Sequence, residues 1–232
     1  MQLTRLIPTE IKPLKVALRV AARKLAVITR ARAPMLFPTY SREVARRIER
    51  YHDEVRYSSL ALAIQRIDLD QIEGSFAEVG VYHGVTSSFI HHQSPQRRFY
   101  LFDTFAGFPS QDLDVARDER FKDTSVEAVA DFIGGNGNIQ FRKGYFPDTA
   151  VGLEGEKFAL VMLDVDLFRP ALEVLRFFYP RMSRGGYFFM HDFNSIESER
   201  AISRAVSDFM ADKPELLLEL PDYFGTAVFR KF

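Results

Sequence analysis

Short apolar runs alternate with amphipathic stretches along most of the chain after residue 75. Five apolar runs are each short enough for a strand, and they lie at 76–82, 97–103, 138–144, 158–164 and 185–192. Between them, helical spacing of hydrophobic positions predicts helices at 85–93, 123–133 and 169–181. Strands that alternate with helices in this way are typical of a mostly parallel sheet covered on both faces.

The C-terminal part adds one more helix and two more strands. The helix is predicted from Glu197 to Met210, and the apolar runs that follow it are 215–221 and 225–232. Because only a short turn separates these two runs, we expect an antiparallel hairpin at one edge of the sheet. The predicted fold class is therefore α/β, with a mostly parallel seven-stranded sheet and an antiparallel C-terminal hairpin.

The N-terminal 72 residues predict a helical extension or lid ahead of the sheet domain, residues 73–232. A helix is expected from Tyr40 to about Ile67, opening at Ser41. Before it, residues 1–34 contain eight basic side chains and one acidic one, with apolar positions at helical spacing. Such an arm is either a solvated helix that packs on the body or on a second subunit, or a basic amphipathic helix that lies on an anionic membrane or an acidic partner. A homodimer is expected from the first alternative, and a peripheral membrane contact from the second.

Composition narrows the class further. The chain has 232 residues, of which 47% are hydrophobic, and its 31 basic and 31 acidic side chains balance. This balance gives no argument for a nucleic-acid partner, so none is predicted. The absence of cysteine excludes disulfides and a thiol nucleophile, and it agrees with a reducing cytoplasm. No apolar run reaches the roughly 18 residues that a membrane span needs, and the N-terminus has no secretory signal pattern.

Candidate chemistry stands where the predicted strands end. In open parallel sheets, ligands bind at the carboxyl ends of the strands. The residues there are Glu78, Gly80 and Gly84 after the first strand, Asp103 after the second, Gly144 after the third, Asp164 and Asp166 after the fourth, and His191 and Asp192 after the fifth. Six ionisable groups at successive strand ends predict a functional site.

The turn after the first strand favours a nucleotide-like cofactor. Gly80 and Gly84 allow a tight turn close to a ligand, and Asp103, 23 residues after Gly80, stands where an acidic residue commonly binds ribose hydroxyls. The spacing does not match G-x-G-x-x-G. Glu78 would repel a pyrophosphate but would suit a cofactor with a cationic end, which favours S-adenosylmethionine over NAD.

The acidic residues after the fourth and fifth strands predict a cation site. Asp164 and Asp166 are two apart, so both point the same way if the strand geometry persists. Asp192 follows 28 residues after Asp164, at the end of the next strand. Because neighbouring strands lie about 4.8 Å apart, carboxylates from the two strand ends can reach one ion. Asp164 and Asp192 are the predicted ligands, and Asp166 is ligand or general base, with Asp164 as the rival base. Alternatively, Asp166 caps the helix that follows it.

Five motifs in order give a resemblance to a known family. They are EVGVYHG (78–84), LFDTFAGFP (101–109), FRKGYFPDT (141–149), LDVDLF (163–168) and GGYFFMHDF (185–193). The set resembles the macrocin O-methyltransferase (TylF-like) family, class I methyltransferases of Rossmann-like fold that act on sugar hydroxyls. The resemblance covers roughly residues 56–230.

The resemblance implies an S-adenosylmethionine-dependent O-methyltransferase that uses a divalent cation, usually Mg²⁺, and a sugar-containing natural product or glycan as acceptor. The implied cofactor-binding residues are Glu78, Gly80, Tyr82, Gly84, Ser87, Asp103, Thr104, Gly144, Tyr145 and Asp164. The implied metal ligands are Asp164, His191 and Asp192, and the implied catalytic residues are Asp166, Asp164 and His191.

One position departs from the family pattern. The chain reads His191-Asp192-Phe193 where the family usually has D-D-Y or D-D-F. His191 is then a ligand that shifts the preference from Mg²⁺ toward Mn²⁺, Fe²⁺ or Zn²⁺, a proton acceptor, or the mark of a metal-independent enzyme. Two other functions remain open from sequence: a nicotinamide-dependent oxidoreductase on a similar sheet, and a non-catalytic binding or assembly protein that keeps the fold.

Overall fold

The computed structural model describes residues 39–51, 53–109, 112, 118–135 and 137–232. The chain divides into two compact units, one ending at Glu54 and the other comprising Val55–Phe232. The boundary between the units therefore lies after Glu54, whereas the sequence predicted a domain boundary after residue 72. The two differ because the helix that ends at Leu69 belongs almost wholly to the larger unit. The basic arm, residues 1–34, lies outside the described residues.

The helix predicted from Tyr40 to Ile67 is two helices. The first, α1, spans Arg42–Arg50 and opens at the predicted Ser41, whose hydroxyl oxygen accepts a hydrogen bond from the backbone N–H of Val44 at 3.2 Å. Tyr51 has extended backbone angles and ends it. The second, α2, spans Glu54–Leu69. The single-helix prediction was wrong because the apolar spacing continues across this break.

The sheet has the predicted seven strands. They are β1 Ser75–Val79, β2 Phe99–Asp103, β3 Ile139–Lys143, β4 Phe158–Leu163, β5 Met182–Met190, β6 Leu218–Leu220 and β7 Thr226–Arg230. Their order is β3-β2-β1-β4-β5-β7-β6. The first five are parallel, while β7 pairs antiparallel with both β5 and β6. The expected mostly parallel sheet with a C-terminal hairpin at one edge is confirmed.

Four α-helices accompany the strands within the described part of the larger unit. They are α3 Val85–Gln93, α4 Val126–Ile133, α5 Phe168–Phe178 and α6 Ala201–Met210. The last begins four residues later than predicted, because Glu199 and Arg200 have positive φ angles and do not continue a right-handed helix. Among the described residues, no helix is both long and apolar enough to cross a membrane.

The centre of the sheet explains the most apolar run of the sequence. All six residues of β4 are completely buried, as expected for a central parallel strand covered on both faces. Phe158 and Phe178 pack edge to face, with ring centroids 4.8 Å apart, and Phe146 stacks on Phe178. Because β4 pairs with β1 on one side and β5 on the other, its carboxyl end, which Asp164 directly follows, lies between the ends of those two strands.

Candidate functional site

Strand register aligns the predicted site residues in one row. Val79 pairs with Leu163, and Leu163 pairs with Met190, so the next residues along each strand, Gly80, Asp164 and His191, follow side by side. Their backbones continue the ladder: Asp164 N–H donates to Val79 C=O and His191 N–H to Leu163 C=O, both at 2.9 Å. The row arises because the parallel strands end at the same edge of the sheet.

A cavity of about 460 Å³ opens over this row, which is a volume typical of a small-molecule site. Most of the predicted site residues line it. They are Glu78, Gly80, Tyr82, Asp103, Thr104, Gly144, Tyr145, Asp164, Asp166, His191 and Asp192. The structure therefore brings the predicted cofactor turn and the predicted cation cluster to one cavity.

Gly80 is required by a close approach of two strand ends. Its φ is +90°, and a Cβ there would stand 1.7 Å from the carbonyl oxygen of Asp164. No other residue fits such a contact, because real Cβ atoms do not come within 3.0 Å of a backbone oxygen. Gly80 thus allows the cofactor turn and the start of the acidic segment to lie directly beside each other.

Asp103 organises the same turn. Its Oδ2 accepts hydrogen bonds from the backbone N–H groups of Val81 and Tyr82 at 2.7 and 2.9 Å, and its Oδ1 accepts one from Phe105 at 2.7 Å. Because each carboxylate oxygen has two lone pairs, one acceptor position remains, on Oδ1. The carboxylate therefore fixes the turn and still has room for one ligand donor.

Glu78 lies beneath the turn, with 1% of its surface exposed. Burial raises its pKa well above the ordinary value, against a hydrogen bond donated by the Ser87 hydroxyl. Ser87 is completely buried behind Glu78 and does not line the cavity. The prediction of Ser87 as a direct cofactor contact is thus corrected: its hydroxyl is turned to Glu78. Gly84 likewise lies outside the cavity lining, as the left-handed residue that opens α3.

His191 connects the carboxylates of the fourth and fifth strand ends. Its Nδ1 lies 3.1 Å from Oδ1 of Asp164 and 3.3 Å from Oδ1 of Asp192, and its Nε2 lies 3.1 Å from the carbonyl oxygen of Tyr223. Burial lowers the pKa of His191, but Asp164 and Asp192 outweigh burial and raise it to about 10. The carboxylates of Asp164 and Asp192 thus favour a positive charge at the position between them.

Asp166 also lies in this cluster, but its direction does not come from the strand alternation that was predicted. The strand ends at Leu163 and Asp166 has a φ of +59°, so strand alternation does not set its direction. Its carboxyl group hydrogen-bonds that of Asp192; burial first, then Asp192 and Asp164, raise its pKa to about 9. The alternative of a helix cap is excluded, since the N-cap of α5 is Leu167, without a side-chain cap bond.

The donor set fits a divalent cation. One atom each from Asp164, His191 and Asp192 lie within 4.8 Å of one another, and cis ligands with bonds of about 2.1 Å lie about 3 Å apart. Burial first, and then the neighbouring carboxyl groups of Asp192 and Asp164, keep Asp166 protonated in the protein alone. A divalent cation bound by these atoms would replace the Nδ1 proton of His191 as the positive charge between the carboxylates of Asp164 and Asp192.

Two further cavity residues were not among the predicted site residues. Nη1 of Arg56, in the first turn of α2, lies 3.8 Å from Oδ2 of Asp164. Asp112 is 9% exposed, accepts a hydrogen bond from the Tyr145 hydroxyl at 3.0 Å, and its buried Oδ2 has no hydrogen-bond partner within the described part of the chain. Its sequence neighbours gave no signal, since Asp112 lies in a polar loop rather than at a strand end.

The remaining predicted residues take loop contacts at the rim. The Thr104 hydroxyl donates to the carbonyl of Gly107 at 2.7 Å. The Tyr82 ring stacks on His83 with centroids 3.7 Å apart and meets the edge of Phe121. Together with Phe108, these rings give the cavity an aromatic wall.

Solved structures share this fold. The O-methyltransferase NovP superposes with a TM-score of 0.65 at 20% identity, covering 77% of this chain and 80% of NovP. CalS11, a calicheamicin methyltransferase, superposes with a TM-score of 0.62 at 18% identity, covering 99% and 96%. The sheet order, the hairpin and these likenesses define the class I methyltransferase fold.

Sequence comparison gives the family. The sequence model of the family described as Macrocin-O-methyltransferase (TylF) matches residues 52–217, so the chain belongs to the macrocin O-methyltransferase family. The resemblance seen in the five motifs is thereby confirmed. A tetracenomycin rhamnosyl 4'-O-methyltransferase of Streptomyces olivaceus is 27% identical over 156 residues, 60% of either chain. Mycinamicin III 3''-O-methyltransferase of Micromonospora griseorubida is 25% identical over 158 residues. This chain spans about 60% of the length of these curated relatives.

Proposed function

We propose that the protein is an S-adenosylmethionine-dependent O-methyltransferase that methylates a sugar hydroxyl of a natural product, assisted by a divalent cation. The observation that carries the proposal is the shared cavity: the Glu78–Tyr82 turn and the cluster of Asp164, His191 and Asp192 line one space. Family membership supports the reaction class. Two relatives support the acceptor class: one is named for methylation of a rhamnosyl-tetracenomycin, and the other for 3''-O-methylation of mycinamicin III.

The strand order suggests how the cofactor lies. From the cluster at β4 and β5, the sheet continues to the Glu78 turn at β1, Asp103 at β2 and Tyr145 after β3. We place the methionine ammonium near Glu78 and the ribose at the open acceptor position of Asp103. The adenine then extends toward Tyr145, where the unpartnered Oδ2 of Asp112 can accept a hydrogen bond from the exocyclic amino group. This direction brings the sulfonium end to Asp164.

The aromatic wall is the proposed acceptor side of the cavity. Phe108 and Phe121 meet edge to face with centroids 5.2 Å apart, and the Arg120 guanidinium lies 5.4 Å from each ring. Aromatic faces offer large apolar contacts, and guanidinium N–H groups can bind hydroxyl oxygens. A sugar ring held there presents a hydroxyl toward the cluster.

The chain's own groups position the hydroxyl and take its proton. Asp166 keeps a proton in the cluster, so the carboxylate of Asp164 is the proposed base for the acceptor hydroxyl. Gly80 and the β1–β4 register fix Asp164 against the cofactor turn, which supports in-line alignment of oxygen, methyl carbon and sulfur. A divalent cation held by Asp164, His191 and Asp192 would lower the pKa of the hydroxyl it binds.

The test is methyl transfer from S-adenosylmethionine to a panel of rhamnosylated and macrolide acceptors, followed by mass spectrometry. We expect a singly methylated product with at least one sugar-bearing acceptor and none with the matching aglycone. Melting temperatures with S-adenosylhomocysteine and with NADH provide the check on cofactor class. A higher melting temperature with NADH but not with S-adenosylhomocysteine would overturn the methyltransferase assignment. Binding of S-adenosylhomocysteine without methyl transfer to any acceptor would favour a non-catalytic role.

A further inference from the structure

We propose that the cluster selects a first-row transition metal ion over Mg²⁺, with Nδ1 of His191 as a ligand between Asp164 and Asp192. This inference rests on the proposed function, because it specifies the cation of the same site. It is carried by the orientation of one imidazole ring and by the positions of the carboxylate oxygens around it.

The far side of the ring determines which nitrogen is available. Nε2 of His191 lies 3.1 Å from the backbone carbonyl oxygen of Tyr223. A carbonyl oxygen only accepts hydrogen bonds, so Nε2 carries a hydrogen. In the neutral imidazole, Nδ1 then holds the lone pair. Metal-ligating histidines show this arrangement, in which the second N–H donates to a carbonyl and fixes the ring.

The near side of the ring faces two carboxylates. Nδ1 stands 3.1 Å from Oδ1 of Asp164 and 3.3 Å from Oδ1 of Asp192. Ligands of an octahedral or tetrahedral ion with bonds of about 2.1 Å lie about 3.0 to 3.4 Å apart, so both distances from Nδ1 fit ligands of one ion, and all three atoms lie within 4.8 Å of one another. Because His191 is only 6% exposed, the surrounding packing keeps Nδ1 in place.

The chemistry of the donors determines the metal class. Mg²⁺ takes oxygen ligands and loses water reluctantly, whereas imidazole nitrogen suits Fe²⁺, Co²⁺, Ni²⁺ and Zn²⁺. An aspartate at position 191 would give a purely oxygen site, as in the usual pattern of the family. His191 replaces one of these oxygens by nitrogen, and Asp166, hydrogen-bonded to Asp192, supports the carboxylate ligand from its outer side.

The alternative is that Nδ1 stays protonated and donates to both carboxylates, so that the imidazolium occupies the centre of the cluster and no metal binds. The two arrangements place the same ring at the same position. They differ in whether an ion displaces the Nδ1 proton, and a binding experiment distinguishes them.

The experiment is calorimetric titration of the full chain with Mn²⁺, Co²⁺ and Mg²⁺, together with pulsed EPR of the Mn²⁺ form to detect nitrogen ligation. We expect Co²⁺ to bind about tenfold or more tighter than Mg²⁺, with Mn²⁺ between the two, and a nitrogen signal in the EPR spectrum of the Mn²⁺ form. His191→Asp should remove the nitrogen signal and reduce the preference. His92→Gln, an exposed histidine outside the cavity lining, is the matched control and should change neither.

Equal affinity for Mg²⁺ and Co²⁺, or Mn²⁺ bound without nitrogen, would overturn the inference. So would the failure of every cation to bind, and the imidazolium arrangement would then describe the site. Parallel titration with S-adenosylhomocysteine separates this failure from failure of the proposed function. If the cofactor product binds and methyl transfer resists a chelator, the methyltransferase proposal stands without the metal. If it does not bind, the proposed function itself fails.

Discussion

The carboxyl groups of Asp166 and Asp192 share a hydrogen bond, and both residues have left-handed backbones, with φ of +59° and +56°. Two carboxyl groups can share such a bond only if one of them carries a proton. Burial raises the pKa of Asp166 to about 9; the pKa of Asp192 is lowered because hydrogen bonds with His191 and Asp166 outweigh its burial. The proton therefore belongs to Asp166.

This pair predicts how stability changes with pH. The folded chain keeps the Asp166 proton up to about pH 9, while the unfolded chain loses it near 3.8. The native state thus binds more protons across that window, so the contribution of Asp166 to stability falls as pH rises. Asp192, with its lowered pKa, acts only below 3.8. Asp166→Asn should remove the Asp166 contribution.

The measurement is urea unfolding of wild type and Asp166→Asn at several pH values within this window. The free energy of unfolding of the variant should increase relative to wild type as pH rises. Glu78 above 4.5 and His191 above 6.5 contribute slopes of the same sign, because the pKa of each is raised. Both groups are present in the two proteins, so the difference between the curves isolates Asp166. Parallel curves for the two proteins would show that Asp166 titrates normally.

Gly80 predicts a steric coupling between the cofactor turn and Asp164. Gly80→Ala places a Cβ 1.7 Å from the Asp164 carbonyl oxygen, whereas Gly152, with a similar φ of +85°, has nothing within 4 Å of its Cβ position. Both substitutions strain the backbone by roughly 1–2 kcal/mol. We expect Gly80→Ala to lose about 1–3 kcal/mol more and to weaken cation binding, as measured by denaturation and calorimetry. Equal losses for the two variants would contradict the coupling.

Asp103 should affect both stability and ligand affinity. Its carboxylate accepts three backbone N–H groups, from Val81, Tyr82 and Phe105. In Asp103→Asn, the side-chain amide keeps one acceptor oxygen, but its NH₂ group is a donor that faces backbone N–H donors and cannot accept from them. We expect a loss of about 1–3 kcal/mol in the free energy of unfolding, with weaker S-adenosylhomocysteine binding. A variant of unchanged stability that binds more weakly would show that Asp103 contacts ligand without organising the turn.

Glu78 is expected to ionise when the ligand ammonium binds, because burial raises its pKa in the protein alone and a neighbouring positive charge lowers it again. Glu78→Gln keeps the shape and the neighbouring Ser87 hydroxyl, but it cannot become negative. Hydrogen bonds to charged groups contribute about 1.5–3 kcal/mol, so S-adenosylhomocysteine affinity should fall about tenfold or more in calorimetry. Ser87→Ala, which leaves the carboxyl group and lies outside the cavity lining, serves as the comparison and should lose less. An unchanged affinity for Glu78→Gln would place the ammonium elsewhere.

Asp112 provides a test in which the ligand is changed first and the residue second. Its free Oδ2 is an acceptor when ionised, although burial raises its pKa against a hydrogen bond from Tyr145. An adenine amino group would donate to it, whereas the carbonyl oxygen of the inosine analogue would face it as a second acceptor. S-inosylhomocysteine should therefore bind more weakly than S-adenosylhomocysteine. In Asp112→Ala the difference between the two ligands should shrink; an unaltered difference there would remove Asp112 from the adenine site.

The sequence predicted those features that follow from strand ends. Gly80, Asp164 and His191 could be aligned in advance because parallel strands stop at a common edge, and the apolar run 158–163 could be assigned to the centre. The direction of Asp166 could not, because its left-handed backbone follows from tertiary packing rather than from local alternation. The same holds for Ser87, which the resemblance implied as a cofactor contact but whose hydroxyl is buried and donates to Glu78. Asp112 has a role only through a contact 33 residues away, with Tyr145.

The central claim is that a cation at Asp164, His191 and Asp192 lies beside the methyl group of a cofactor held at the Glu78 turn. Nuclear relaxation of ¹³C-methyl S-adenosylmethionine in the presence of the Mn²⁺-loaded protein measures this distance directly. We predict strong paramagnetic enhancement of the methyl signal, lost in the Asp164→Asn variant. A methyl signal that stays unaffected while both Mn²⁺ and cofactor are bound would contradict the account.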